Sequence, residues 1–130
     1  SRTPDSAYIP SGLIHRFTIA ANGDLAQLDV YANVGPGMSL DGMCFDADGR
    51  LIVAASTGGR LFVVAPGGGA VERVIQLGDP APTNVCFGGV DNRTLFITEA
   101  GIGRVSAFDW EVPGMLLVDQ KVHPDVPTAG

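Results

Sequence analysis

Apolar positions in this chain come in short runs broken by glycine, aspartate or proline, and the long three-and-four spacing of an amphipathic helix is missing. The runs "GLIHRFTI", "LAQLDVYANV", "GMCFDADG", "LIVAAS", "RLFVVAP", "AVERVIQL", "NVCFGG", "TLFITEA", "GRVSAFDW" and "GMLLVDQKV" each have the length and content of a β-strand. Between them stand turns such as Asn22-Gly23-Asp24 and Asp48-Gly49, where Asn or Gly tolerates positive φ. With 18 glycines and 9 prolines supplying the breaks, the pattern predicts an all-β fold.

The runs repeat. Gly59-Arg60-Leu61-Phe62-Val63-Val64 aligns with Gly103-Arg104-Val105-Ser106-Ala107-Phe108 at an offset of 44, and Leu51-Ile52-Val53 with Leu95-Phe96-Ile97 at the same offset. Cys44-Phe45 and Cys86-Phe87 agree at 42, and "GLIHRF" from Gly12 to Phe17 fits the third-strand slot at 47. A four-stranded unit recurring at this period predicts β-propeller blades. The units divide as follows: 1–11 a linker or extended N-terminal segment, 12–38 the outer strands of one blade, 39–79 a complete blade, 80–122 a final blade, 123–130 a tail. That is about two and a half blades, where closed propellers have roughly four to eight.

Composition narrows the partners. Among 130 residues, 8 basic and 14 acidic ones give a net charge of −6, with no Lys/Arg cluster and a single lysine, Lys121. This balance argues against nucleic acid and anionic membranes. No apolar run reaches the roughly 18 residues of a membrane helix, and "SRTPDSAYIP" has no export signal. Two cysteines without metal-ligand spacing fit a reducing compartment, and a cytoplasmic location is expected. The mean hydropathy of +0.24 is high for a lone soluble chain and points to covered surface.

Candidate chemistry is sparse. Asp41-Gly42 is either a turn or a carboxylate at a strand end that binds a hard cation through oxygen. Asn84 is either a turn cap after Pro82-Thr83 or a group facing a substrate or a metal-bound water. Cys44 and Cys86 occupy equivalent places and are expected to be free, shielded thiols facing one tunnel. Asp46-Ala47-Asp48-Gly49 opens like a calcium loop but lacks the later glutamate, so a hairpin turn explains it. Glu99 is either a carboxylate entering the tunnel or, as expected, a solvated blade-edge carboxylate. His15 and His123 have no nucleophile motif beside them, and no Ser/His/Asp triad is supported.

At "LDGMCFDADGRLIVA" followed by "TNVCFGGVDNRTLFITEAGIGRVSAFDW", the sequence resembles the C-terminal part of the senescence-marker-protein, gluconolactonase and luciferin-regenerating-enzyme family, from about Gly12 to Trp110. The resemblance implies a six-bladed propeller that holds a divalent metal in its tunnel and hydrolyses lactones or related carboxylic esters. It implies that Asp41 is a metal ligand and catalytic residue and that Asn84 binds substrate. It implies Ca²⁺, with Zn²⁺ or Mg²⁺ as alternatives, while the other ligands, a glutamate and asparagines, belong to blades this chain does not contain. Similar phrases occur in the diisopropyl-fluorophosphatase branch, whose histidine is replaced here by Ala100 and whose second calcium site meets Cys44 and Cys86.

The expectation is the C-terminal portion of a metal-dependent lactonase acting on a sugar or other small lactone. A non-catalytic binding module or an organophosphate-type hydrolase are the alternatives. The expected macromolecular partner is a complementary N-terminal chain, or further copies of this one, completing the ring.

Overall fold

The computed structural model describes residues 10–117. Lys121, His123, the end of the 114–122 run, the 123–130 tail and the first nine residues of the expected linker lie outside that part.

Among the described residues there are nine strands and no helix, all pairs antiparallel. Strands β1 (Leu13–Ile19) and β2 (Leu25–Asn33) form a first sheet. Strands β3 (Leu40–Phe45), β4 (Leu51–Ala55), β5 (Arg60–Val64) and β6 (Val71–Gln76) form a middle sheet in that order. Strands β7 (Pro82–Gly88), β8 (Thr94–Glu99) and β9 (Arg104–Asp109) form a last one. Three consecutive sheets packed face to face make a partial β-propeller.

β4 and the Leu61–Val64 stretch of β5 are apolar without alternation because both faces of the middle sheet are covered. One face, Leu51, Val53 and Val64, packs on Ile14 and Ala32 of the first sheet. The other, Ile52, Ala54, Leu61 and Val63, packs on Val85, Leu95 and Ile97 of the last sheet. Phe17, Ile19, Leu25 and Val30 on the first sheet and Val105 on the last remain exposed.

The run starting at Gly114 does not form a strand within the described residues. After β9 the chain turns inward, and Trp110 enters the core with its indole Nε1 donating to the buried Asp46 carboxylate at 3.0 Å. Asp46 also accepts from the backbone of Asp48 and Arg50 and pairs with the Arg50 guanidinium, so it caps the hairpin turn and joins two sheets. Beyond Trp110 the chain crosses between the sheets. Pro113 accepts from Ala47 N–H at 2.8 Å, Gly114 N–H donates to Asn92 at 2.8 Å, and Met115 N–H donates to Phe45 at 3.0 Å. A Cβ on Gly114 would lie 2.4–2.6 Å from Phe87, so only glycine fits the crossing.

Asp79 holds the link between β6 and β7. Burial disfavours its charged form, but backbone N–H groups of Ala81, Ile102 and Gly101 and the nearby Arg104 outweigh that and lower its pKa below the ordinary 3.8. A carboxyl whose folded pKa is depressed contributes stability that is present above its unfolded value and lost as pH falls through the folded one. Between neutrality and about pH 5 the stability gap between wild type and Asp79→Asn is therefore expected to stay constant. Below pH 3.8 it should close. Denaturant melts across this range check it, and a gap that shrinks between pH 7 and 5 would show that another group is titrating.

Candidate functional site

The site is built where the inner strands of the middle and last sheets run side by side. β3 pairs only with β4 and β7 only with β8, so each keeps one free edge, and these edges bound a groove of about 410 Å³. Met43, Phe45, Val85, Phe87 and Met115 give it apolar walls, and Asn84 gives it a polar end.

Both inner strands are irregular at the same place. Leu40 faces Ala55 and Met43 faces Val53, so Asp41 and Gly42 together oppose a single residue. In β7, Pro82 faces Glu99 and Asn84 faces Thr98, leaving Thr83 as the extra residue. Bulges of this kind re-aim side chains and recur beside functional sites.

The bulges bring Gly42, the residue after Asp41, against Asn84. A Cβ built on Gly42 would fall 1.9 Å from Asn84 Oδ1 and 2.8 Å from Asn84 Cα. The missing side chain at Gly42 thus makes room for Asn84, and Asp41, the next residue, is exposed beside it. Asn84 Oδ1 accepts from Val85 N–H at 2.9 Å, which orients the carboxamide and leaves its NH₂ as the available donor.

One carboxylate and one carboxamide fall short of the six to eight oxygens Ca²⁺ takes. Among the described residues no group of three or more His, Cys, Asp or Glu side chains could hold a metal ion. The residues present do not by themselves fit the ion.

Glu99 corrects an expectation. It is 3% exposed rather than solvated, bound by the Ser106 hydroxyl and by Arg104 at 3.4 Å. It follows Leu95 and Ile97 on the face turned to the middle sheet, which explains its burial. His15 bonds Gln27 on the exposed first sheet, away from the groove.

The cysteines are both free, as expected, but not both shielded. Cys44 is half-buried against the core between middle and last sheets. Cys86, in the equivalent slot one sheet on, is exposed, and among the described residues no sheet packs on that face. Burial first, then the charges of Cys86 and Asp46, push the Cys44 thiol from 9.0 up to about 12. With Cys86 exposed and Cys44 half-buried with its thiol pKa raised, alkylation at pH 8 should modify Cys86 much faster than Cys44. Peptide mapping of the modified protein reads this, and equal rates would contradict the burial of Cys44.

The strap from Trp110 to Met115, whose Met115 lines the groove, falls within the expected final blade, but its crossing was not legible because its anchor Asp46 looks like an ordinary turn aspartate.

Comparison with known proteins agrees with the geometry. The SMP-30/Gluconolactonase/LRE-like region profile matches residues 7–101. Regucalcin of Danio rerio is 43% identical over 63 residues, 48% of this chain and 21% of that protein. The 6-deoxy-6-sulfogluconolactonase of Pseudomonas putida is 31% identical over an alignment of 131 positions, 94% of this chain and 45% of that protein. An X-ray structure described with the gluconolactonases superposes with a TM-score of 0.65 at 27% identity, over 80% of this chain and 33% of its own. Luciferin-regenerating enzyme, at a TM-score of 0.60 and 22% identity over 80% of this chain and 36% of its own, shares the fold. The chain spans less than half the length of these relatives.

Proposed function

The chain belongs to the SMP-30/Gluconolactonase/LRE-like family, and from that premise we propose that it supplies one wall of the active-site tunnel of a lactone hydrolase. The observation that carries this is the Asp41-Gly42 bulge, whose Gly42 is pressed against Asn84 where that carboxamide lines an inter-sheet groove. The proposed substrate is a sugar lactone or another small lactone, a reading supported by the match to 6-deoxy-6-sulfogluconolactonase.

In this reading Asp41 takes a proton from the water that adds to the lactone carbonyl carbon. Asn84 NH₂ donates to the carbonyl oxygen as negative charge gathers there. When the ring C–O bond breaks, the proton returns to the leaving alkoxide and the product is an open hydroxy acid. Ca²⁺, or Zn²⁺ or Mg²⁺ in its place, is proposed as the tunnel ion, with Asp41 as one ligand and the remaining ligands supplied from outside the described residues. The complementary propeller sheets that bring them are part of the same proposal.

Hydrolysis of δ-gluconolactone, followed by acid release at constant pH, tests the reading with Asn84→Ala. Loss of one oxyanion donor should lower kcat about 10²- to 10³-fold with little change in KM. An unchanged kcat would return Asn84 to a turn cap.

A further inference from the structure

The two inner-strand bulges sit at the same point of the repeat, yet they are held differently. At the offset of 42 between the inner strands, Asp41-Gly42 answers to Thr83-Asn84, and at the offset of 44 between β4 and β8, Ala54 answers to Thr98. The β3 bulge therefore forms opposite the methyl group of Ala54, and the fold needs no hydroxyl to make it.

In the last sheet two hydroxyls meet at the bulge. Thr83, the extra residue, and Thr98, the ladder partner of Asn84, stand with their Oγ1 atoms 2.8 Å apart. Thr98 Oγ1 also lies 3.5 Å from the Asn84 carbonyl oxygen, and Thr83 Oγ1 lies 3.4 Å from the Thr98 carbonyl oxygen. Each hydroxyl has one proton to donate. With Thr83 donating to Thr98 Oγ1 and Thr98 donating to the Asn84 carbonyl, a single side chain on β8 holds both residues of the bulge.

What differs between the two sheets is the side chain to be aimed. The β3 bulge turns Gly42, which has none, toward Asn84. The β7 bulge presents a carboxamide whose Oδ1 accepts from Val85 N–H at 2.9 Å. A reacting or donating group displaced by about 1 Å can cost about 10²-fold in rate.

We propose that Thr83 and Thr98 are positioning residues, their paired hydroxyls clamping the β7 bulge so that the Asn84 carboxamide stays aimed beside Gly42. The consequence for hydrolysis rests on the lactone reading. The clamp itself does not, because every contact in it lies within the last sheet.

Thr98→Val and Thr83→Val keep the branched shape that strands favour and remove the hydroxyl. In the assembled enzyme each is expected to lower kcat for δ-gluconolactone about 10- to 100-fold with KM little changed, while Thr83→Ser, which keeps the hydroxyl, stays within about threefold of wild type. In an Asn84→Ala background Thr98→Val should cost less than about twofold, since the group it positions is gone. A second readout does not involve the reaction. Asn84 Oδ1 covers the Val85 N–H, so hydrogen exchange at Val85, followed by NMR on the full chain, should quicken about tenfold or more in both valine variants and keep its wild-type rate in Thr83→Ser.

Unchanged Val85 exchange in both valine variants would overturn the proposal whatever the rates do. So would an undiminished loss of kcat from Thr98→Val in the Asn84→Ala background, which would mean that the hydroxyl acts elsewhere. A Thr98→Val chain that loses its circular dichroism spectrum would overturn it as well, by making the hydroxyl part of the fold. If wild type does not hydrolyse the lactone, the lactone reading falls alone and Val85 exchange decides the clamp, faster exchange in the valine variants upholding it.

Discussion

Asp41→Asn is expected to lower kcat for lactone hydrolysis by about 10²- to 10⁴-fold in the assembled enzyme, the range a positioned general base supplies. The substitution keeps the shape of the side chain and removes its charge and its ability to take a proton. Asp41 is exposed in the bulge of β3, so the melting temperature should hardly move. Surface changes of this kind usually stay within about 0.5 kcal/mol. Initial rates over a range of lactone concentrations, with thermal melts of the same samples, decide the matter. A kcat near wild type would remove Asp41 from the chemistry, and a collapsed melt would make it a structural residue.

Gly42→Ala is the second large effect, and it comes from packing rather than charge. The new methyl would meet Asn84 at 1.9 Å from Oδ1, 2.4 Å from Cγ and 2.8 Å from Cα. The carboxamide can rotate away, but the Cα belongs to β7 and can move only with the strand. β3 and β7 must therefore separate, at a cost of about 1–3 kcal/mol, typical of overpacking in a fitted interior. The same displacement should shift the Asp41-Gly42 bulge relative to Asn84 and reduce lactone hydrolysis more than the lost stability explains. Adding Asn84→Gly removes the two closest contacts but leaves the third, so the double variant should regain only part of the stability. Urea midpoints of the four proteins form the cycle that reads this coupling. Additive effects would show that Gly42 and Asn84 do not touch.

Much of the architecture was legible in the sequence because it repeats. Turn residues at fixed intervals and apolar runs too short for helices predict many strands, and the offset of 44 between "GRLFVV" and "GRVSAF" predicts sheets of one kind stacked in order. These signals are local: each depends on backbone freedom at glycine and on the two-residue alternation of a strand. The Asp-Gly pair was legible too, as a carboxylate beside a residue with no side chain.

Tertiary structure alone decided what fills the space at Gly42, because Asn84 is 42 positions away and nothing in either sequence neighbourhood names the other. It also decided the fates of equivalent residues. Cys44 and Cys86 hold the same slot and have the same local pattern, yet one is half-buried and the other exposed, since among the described residues a sheet packs only on the face of Cys44. Glu99 looks like a rim carboxylate in sequence and is buried because alternation along β8 turns it, with Leu95 and Ile97, toward the middle sheet. Trp110 and Asp46, 64 residues apart, form a buried hydrogen bond that no periodicity encodes. The sequence determines which residues form strands and turns through local backbone preference; contacts between distant residues, and the exposure that follows from them, exist only once the sheets are stacked.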